Sequence, residues 1–148
     1  MAPIKVIYNP NAGKKRAKIG AGKQVSLGEI QKYFVQYAIE ADFFPTEGPG
    51  HATQLAKNAI EEGYTTVIGL GGDGTIGEIA QGLVNTDIRL GLLPLGSYMN
   101  IAKMLGIPRD IEKAVMLLKL GRTRKIDVGA VTQLDGHPLS EPIYFIES

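Results

Sequence analysis

The segment Gly69-Leu70-Gly71-Gly72-Asp73-Gly74-Thr75 has the residue types and the spacing of a loop that binds phosphate. Consecutive glycines let a backbone turn sharply and approach a phosphate with no Cβ in the way. Their N–H groups, together with the N-terminus of a following helix, favour an anion. The sequence therefore predicts an anion-binding turn between a strand and a helix.

Asp73 distinguishes this loop from a loop that only binds pyrophosphate through backbone N–H groups. A carboxylate among phosphates repels them unless a cation intervenes or the carboxylate handles a proton. Asp73 therefore suggests magnesium-linked phosphate chemistry, or acid–base work near a transferred group. The alternative interpretation is that Asp73 only caps the helix that begins near Thr75.

Two other nucleotide-binding loops fit this sequence less well. The loop matches the dinucleotide pattern G-x-G-x-x-G, but the acid expected about 20 residues further on is missing, because residues 90–95 contain none. A Walker A loop is absent as well, since neither Gly13-Lys14 nor Gly22-Lys23 follows a glycine at the required spacing.

The elements that must position this loop alternate between strand and helix as far as Leu120. Such alternation predicts an α/β fold, with an open parallel sheet and helices on both faces. In such sheets ligands bind at the carboxyl ends of the strands. The predicted strands span 4–8, 41–45, 65–70 and 90–94, and the predicted helices span 25–38, 51–62, 75–83, 100–105 and 110–120.

After Gly121 the pattern changes to strand, turn, strand. Predicted strands at 124–131 and 143–146 flank the turn at 134–137, and an Asp-Gly turn between strands indicates a hairpin. We therefore expect residues 1–122 to form an α/β domain that binds nucleotide. We expect residues 123–148 to be linker strands that lead to a β-rich second domain, which is absent from this chain.

Composition and charge exclude several classes of protein. The formal net charge is +1, which argues against a dedicated nucleic-acid binder. There is no cysteine, which excludes a disulfide scaffold, a cysteine-based zinc site and a thiol nucleophile. Apolar stretches such as 90–95 are too short to span a bilayer, and residues 1–5 lack the apolar stretch of a signal peptide. We expect a cytoplasmic protein.

Four ordered segments resemble those of a known family. Residues 71–75 resemble the G-G-D-G-T string of diacylglycerol kinases, sphingosine kinases and NAD kinases, whose shared fold is similar to that of phosphofructokinases. Residues 7–13 resemble the opening strand and N-P-x-x-G loop of the lipid kinases, and residues 46–52 resemble their T-x-x-x-G-H-A segment. Residues 92–108 resemble their P-x-G-T-x-N-D-x-A-R region. The resemblance implies a three-layer sandwich like that of phosphofructokinase and NAD kinase.

The chain also departs from the family pattern. Ser97 replaces a threonine and keeps the hydroxyl, while Gly77 replaces a common asparagine. Met99 stands where asparagine is usual, and Asn100 stands at the position of an aspartate that the family links to substrate or metal contacts. Asparagine carries no charge, which puts recognition of the lipid hydroxyl at this point in doubt.

The resemblance implies transfer of the γ-phosphoryl group of ATP to a lipid hydroxyl, with ATP and Mg²⁺ as cofactors, at a membrane surface to which the protein is peripheral. It assigns Asp73 the catalytic role and a metal-binding role. In the family a β-rich second domain supplies the acid proposed as general base, so we expect this chain alone to bind nucleotide weakly and to show little turnover. The residues assigned to the nucleotide are Asn9, Pro10, Asn11, Ala12, Gly13, Thr46, Gly71, Gly72, Asp73, Gly74, Thr75, Ile76, Gly77, Glu78 and Ser97.

Two alternatives of different classes stay open. An NAD kinase-like enzyme would phosphorylate a soluble nucleotide, although residues 7–13 and 94–108 favour a lipid kinase. A non-catalytic module that binds nucleotide for regulation is kept open by Met99 and Asn100. The lipid and the oligomeric state also stay open, a homodimer included.

Overall fold

The centre of the fold is a parallel sheet. The computed structural model describes residues 3–11, 25–95 and 99–146 of the chain. Within these ranges the strands of this sheet lie in the order β2-β1-β3-β4, and every neighbouring pair is parallel. The strands are β1 (Ile4–Tyr8), β2 (Asp42–Pro45), β3 (Thr66–Gly71) and β4 (Arg89–Pro94).

This strand order contains a switch point between β1 and β3. From β1 the chain crosses to β2 on one side, and from β3 it crosses to β4 on the other side. The loops that follow β1 and β3 therefore leave in opposite directions and open a crevice at the carboxyl edge of the sheet. In open α/β sheets this crevice is where ligands bind.

Helices cover both faces of the sheet, as predicted. α1 and α5 share a core with one face, and α2 and α3 share a core with the other. The short helix α4 packs beside α3 through buried Ile101 and Ile76. The helices are α1 (Leu27–Gln36), α2 (His51–Glu61), α3 (Asp73–Leu83), α4 (Asn100–Leu105) and α5 (Ile111–Leu120). No helix in the described ranges has both the length and the apolarity that a membrane crossing requires.

The strands supply both cores because successive side chains of a strand point to opposite faces. Val6 belongs to the core under α1 and α5, whereas Ile7 belongs to the core under α2 and α3. Ile68 and Val67 on β3 divide in the same way. β3 is therefore apolar on both faces and its sequence is a continuous apolar run, whereas β1 is interrupted by the buried Lys5.

Two glycines let α3 lie close to its neighbours. A Cβ at Gly69 on β3 would stand 2.4 Å from Cδ1 of Ile76, and a Cβ at Gly82 would stand 2.7 Å from the carbonyl oxygen of Thr53 on α2. A side chain at either position would push α3 outward. These glycines therefore help to fix where α3 begins, at the carboxyl edge of the sheet.

The C-terminal part is an antiparallel hairpin of β5 (Gly129–Leu134) and β6 (His137–Phe145). The predicted turn is confirmed, with positive φ angles of 49° at Asp135 and 78° at Gly136. The predicted strand at 124–131 was wrong at its start, because strand pairing begins only at Gly129, opposite Phe145. The hairpin fits the expected start of a β-rich second domain, while the boundary at residues 122 and 123 stays a prediction.

Candidate phosphate-binding site

The loops that were singled out from the sequence follow strands that end at one edge of the sheet. Tyr8 at the end of β1 pairs with Pro45 on one side and Leu70 on the other, and Gly71 pairs with Pro94. Beyond the strands, the N–H of Thr46 donates to the carbonyl of Tyr8 at 2.8 Å. The segments beginning at 9, 46, 71 and 95 are thus neighbours, although they are far apart in the sequence.

The loop after β1 begins with a tight turn. The side-chain oxygen of Asn9 accepts a hydrogen bond from the N–H of Asn11 at 2.9 Å, which is an Asx turn. Pro10 and Asn11 are exposed at the edge of the sheet. Ala12 and Gly13, the other residues predicted in this loop, lie outside the described residues.

The glycine-rich loop passes directly into α3. Gly72 is extended, with φ −92° and ψ −174°, and the helix begins at Asp73, two residues before the predicted start at Thr75. Gly72 at the N-cap has no side chain to cap this helix, so within the described part of the chain the N–H groups of the first turn are available to an anion. A Cβ at Gly74 would meet no atom within 4 Å, which leaves the approach to this turn open.

The carboxylate of Asp73 turns toward α4. One oxygen accepts the N–H of Asn100 at 2.9 Å, and the other accepts the N–H of Ile101 at 3.1 Å. The alternative interpretation was that Asp73 caps the helix in which it lies, α3. That is wrong, because the carboxylate caps α4 instead. Met99 precedes α4 in the left-handed conformation, with φ 53°, and its side chain forms no cap. Asp73, which belongs to the loop after β3, caps the N-terminus of α4 in its stead.

Glu78 ties α3 to the start of α2. Its carboxylate accepts the N–H of Gly50, and its backbone carbonyl accepts the hydroxyl of Thr53 at 2.7 Å. Next to this contact, Nδ1 of His51 accepts the N–H of Glu47 at 2.9 Å. Glu78, which the family resemblance assigned to the nucleotide, thus uses one carboxylate oxygen to hold the loop that carries Thr46.

The hydroxyl residues and the isoleucine that were predicted to contact the nucleotide lie in different environments. Thr46 and Thr75 are half-buried at the edge of the sheet, and no described residue makes a hydrogen bond to their hydroxyls. Ile76 is buried against Leu92 and Ile101, so only its backbone can face a ligand. Ser97 lies outside the described residues.

A small cleft lies between the glycine-rich loop and α4. Met99 contributes to its wall, and sequence reasoning noted this residue only as a departure from the family pattern. Nothing in the sequence signals that a methionine adopts a left-handed conformation here, since that conformation is uncommon for residues other than glycine and asparagine. The cleft is lined by Gly71, Gly72, Asp73, Ile76, Leu92, Pro94, Met99 and Ala102.

The described residues contain no group of three or more histidine, cysteine or acidic side chains that could hold a metal ion by themselves. Mg²⁺, however, is commonly held by one or two carboxylates together with substrate phosphates and water. Each oxygen of Asp73 accepts one backbone N–H, and a carboxylate oxygen has a further lone pair. Asp73 therefore fits as a single protein ligand of Mg²⁺ that arrives with a nucleotide.

Comparisons with known proteins agree on one family. The model of the diacylglycerol kinase catalytic domain matches residues 3–131. The chain is 37% identical over 134 residues to the diacylglycerol kinase of Bacillus subtilis (strain 168), which covers 88% of this chain and 42% of that protein. It is 32% identical over 127 residues to the diacylglycerol kinase of Staphylococcus carnosus (strain TM300), which covers 84% of this chain and 40% of that protein.

A solved structure has the same fold. The chain is similar to a crystal structure described as a diacylglycerol kinase from Bacillus anthracis str. Sterne, with a TM-score of 0.70 and 25% sequence identity. That similarity covers 92% of this chain and 45% of the other. The chain thus spans less than half the length of each of these three relatives.

Proposed function

This chain belongs to the diacylglycerol kinase catalytic domain family, and from that membership we propose that the whole protein transfers the γ-phosphoryl group of ATP to a lipid hydroxyl. The chain would supply the half that binds ATP. The observation that carries the proposal is that three segments with family resemblance, beginning at Asn9, Thr46 and Gly71, all follow parallel strands that end at one edge of the sheet.

The phosphates would bind at the start of α3. The uncapped N–H groups of its first turn provide donors, and the helix N-terminus provides a partial positive charge. The hydroxyls of Thr46 and Thr75, which have no protein partner within the described residues, would donate to the phosphates. Phosphoryl transfer depends mostly on such positioning and charge neutralisation.

Asp73 would hold Mg²⁺ through the lone pairs that its bonds to α4 leave free. When bound, the cation would neutralise negative charge on the phosphates. Because the same carboxylate holds the N-terminus of α4, the position of this ligand is set by two backbone bonds. Asp73 would thus be both a metal ligand and a structural link between the loops after β3 and β4.

The remaining parts of the reaction would come from elsewhere. We propose that residues 1–122 form the nucleotide-binding domain and that 123–148 lead into a β-rich domain that supplies the general base and closes the cleft. A cytoplasmic protein, peripheral to the membrane that contains its lipid, fits this arrangement. The chain alone would then bind ATP weakly and turn over little.

A non-catalytic nucleotide-binding module is the second candidate, and Asn100 favours it. In the family pattern this position is an aspartate, which would add a second carboxylate next to Asp73. With Asn100 that charge is missing, so a cation would be held less firmly. This candidate would be supported if the full-length protein bound ATP but phosphorylated neither a lipid nor NAD.

The proposal is tested by calorimetric titration of the chain with ATP, with and without Mg²⁺, and by assay of the full-length protein. We expect weak ATP binding that Mg²⁺ strengthens, and phosphorylation of diacylglycerol in preference to sphingosine and NAD. Phosphorylation of NAD alone would favour the NAD kinase-like alternative. The proposal would be wrong if neither the chain nor the full-length protein bound ATP.

A further inference from the structure

The outward face of α5 is apolar and has no partner among the described residues. Ile111, Ala114 and Val115 turn inward and are buried in the core. On the opposite side of the helix three large apolar side chains are exposed, at 46%, 44% and 66% of their surface: Met116, Leu117 and Leu120. Helical geometry places these three side chains on a common outward-facing side, because each residue turns by about 100°.

This apolar face lies within the most basic segment of the described chain. Residues 109–127 contain six basic and three acidic side chains, a formal charge of +3, whereas the whole chain carries only +1. Two of the acids are engaged locally: Asp110 caps α5, and Glu112 accepts the hydroxyl of Tyr37 at 2.8 Å. The six basic side chains are all exposed: Arg109, Lys113, Lys119, Arg122, Arg124 and Lys125.

We propose that this α5 surface docks on an anionic lipid bilayer. The α5 surface is defined as the exposed apolar and basic residues of α5 and of the segment 122–126 that directly follows it: Lys113, Met116, Leu117, Lys119, Leu120, Arg122, Arg124, Lys125 and Ile126. Aliphatic side chains of an interfacial helix enter the boundary between headgroups and acyl chains, and flanking Lys and Arg are attracted to anionic headgroups. The surface has both components, and the described chain has no other segment with this excess of basic residues.

Charge and side-chain type select the bilayer over other partners. Two copies of a segment with a formal charge of +3 would repel each other, which disfavours a dimer through this face. Single-stranded nucleic acid is bound by stacking on aromatic side chains, and the α5 surface has none. The choice of a membrane rather than another anionic partner also rests on the proposed function, since its substrate would be a lipid.

The test is sedimentation of the chain with lipid vesicles in the absence of nucleotide. One set of vesicles is pure phosphatidylcholine, and the other is phosphatidylcholine mixed with phosphatidylserine. We expect binding to the anionic vesicles that decreases as salt is added. Because no nucleotide or phosphoryl transfer is involved, this result is independent of whether the kinase proposal holds.

A pair of double variants makes the test specific to the surface. The first, Lys113→Ser with Leu120→Ser, removes one cation and one exposed apolar side chain from α5. The control, Lys57→Ser with Ile60→Ser, removes the same groups from the exposed side of α2, on the other face of the sheet. We expect the α5 variant to bind anionic vesicles about tenfold more weakly, since one basic residue alone accounts for about fivefold. The α2 variant should bind within about twofold of the unchanged chain, because its face carries no such basic excess.

Three outcomes would overturn the proposal. The first is equal binding to both vesicle types, and the second is an equal loss in the two double variants. The third is vesicle binding that the α5 variant leaves unchanged while sedimentation velocity shows that it converts a dimer to a monomer. That result would assign the face to contacts between copies of the chain.

Discussion

The carboxylate of Asp73 accepts the backbone N–H of Asn100 at 2.9 Å, and this bond joins the loop after β3 to the loop after β4. With the second bond to Ile101 it caps a helix that has no capping side chain of its own. A carboxylate in this position serves the fold whether or not it also holds a metal. Its two roles can therefore be separated by experiment.

Replacement of Asp73 should destabilise the protein even without nucleotide. We expect Asp73→Ala to lower the free energy of unfolding by about 2–3 kcal/mol, because two charge-assisted bonds are lost at a half-buried site. Asp73→Asn keeps one acceptor and should cost about 1 kcal/mol. Urea denaturation measures both changes, and hydrogen exchange at Asn100 should accelerate in parallel.

The control for this prediction is Asp87→Ala, at an exposed acid in the loop between α3 and β4. Its effect on unfolding should stay within about 0.5 kcal/mol. If Asp73→Ala unfolded at the same urea concentration as the unchanged chain, the cap would have no energetic importance. If Mg²⁺ strengthened ATP binding by Asp73→Asn as much as it strengthens binding by the unchanged chain, the metal role of Asp73 would be excluded.

Glu78 should act on the nucleotide through the loop that it holds. Its carboxylate accepts the N–H of Gly50 and so fixes the segment that carries Thr46 relative to α3, whereas the bond from Thr53 goes to its backbone carbonyl and is kept in every variant. We expect Glu78→Ala to destabilise the fold by about 1–2 kcal/mol and to weaken ATP binding several-fold, with Glu78→Gln in between because its amide oxygen still accepts. Calorimetry measures the ATP affinity.

Glu61→Ala removes a carboxylate at the opposite end of α2, where it is exposed, and should leave ATP affinity unchanged. The prediction for Glu78 would fail if Glu78→Ala lowered stability but left ATP affinity equal to that of the Glu61→Ala control. Glu78 would then be a structural contact with no effect on the site.

The layered fold could be predicted because its determinants are local. The apolar run Thr66–Gly71 ends in glycines, and Asp110 and Gly121 bracket α5 with a cap at each end, so periodicity and capping were enough. The start of β5 was misplaced because residues 124–128 have strand-like composition but no pairing partner. Strand pairing is a tertiary property that composition does not report.

The site could be predicted only in outline. Family resemblance picked the loops, but the partners of Asp73 and Glu78 lie 27–28 residues away and depend on how α4 and α2 pack against α3. Lys5 is a similar case. It is fully buried in β1, where it pairs with Glu62 at 3.0 Å and lies 4.5 Å from the ring centroid of Phe44. Sequence pattern alone does not indicate such long-range compensation of a buried charge.

Gly69 should not tolerate even a methyl group. A Cβ there would stand 2.4 Å from Cδ1 of Ile76 and 2.9 Å from Cδ1 of Ile79, so Gly69→Ala should cost about 1–3 kcal/mol of stability by overpacking. Ile76→Val removes the nearer methyl group. In a double-mutant cycle measured by urea denaturation, the combined variant should therefore be more stable than the sum of the single changes predicts.

Gly77→Ala is the matched control, because it also lies on the β3–α3 unit but a Cβ there would meet nothing within 4 Å. In a helix interior this change should stabilise the protein by about 0.5–1 kcal/mol. Equal effects of Gly69→Ala and Gly77→Ala would contradict the argument that β3 and α3 are packed too closely for a side chain at Gly69.

Tyr64 should make stability fall at alkaline pH. Its hydroxyl donates to Asp42 at 2.6 Å, and this hydrogen bond, followed by burial and the charge of Asp42, raises the pKa of Tyr64 from 10.0 to about 12. Since the folded pKa is above the unfolded one, the stabilisation is fully present below pH 10 and is lost as pH rises from 10 to about 12.

Urea denaturation across this pH range, with the Tyr64→Phe variant beside the unchanged chain, measures the effect. The decline in stability should be shallower in the variant, because the other tyrosines titrate in both proteins and only the contribution of Tyr64 differs. Asp42→Asn removes the charge that holds the proton on Tyr64, so the effect of the Tyr64→Phe change on the pH dependence should shrink in that background. Parallel curves for the unchanged chain and Tyr64→Phe would mean that the bond to Asp42 does not shift the titration of Tyr64.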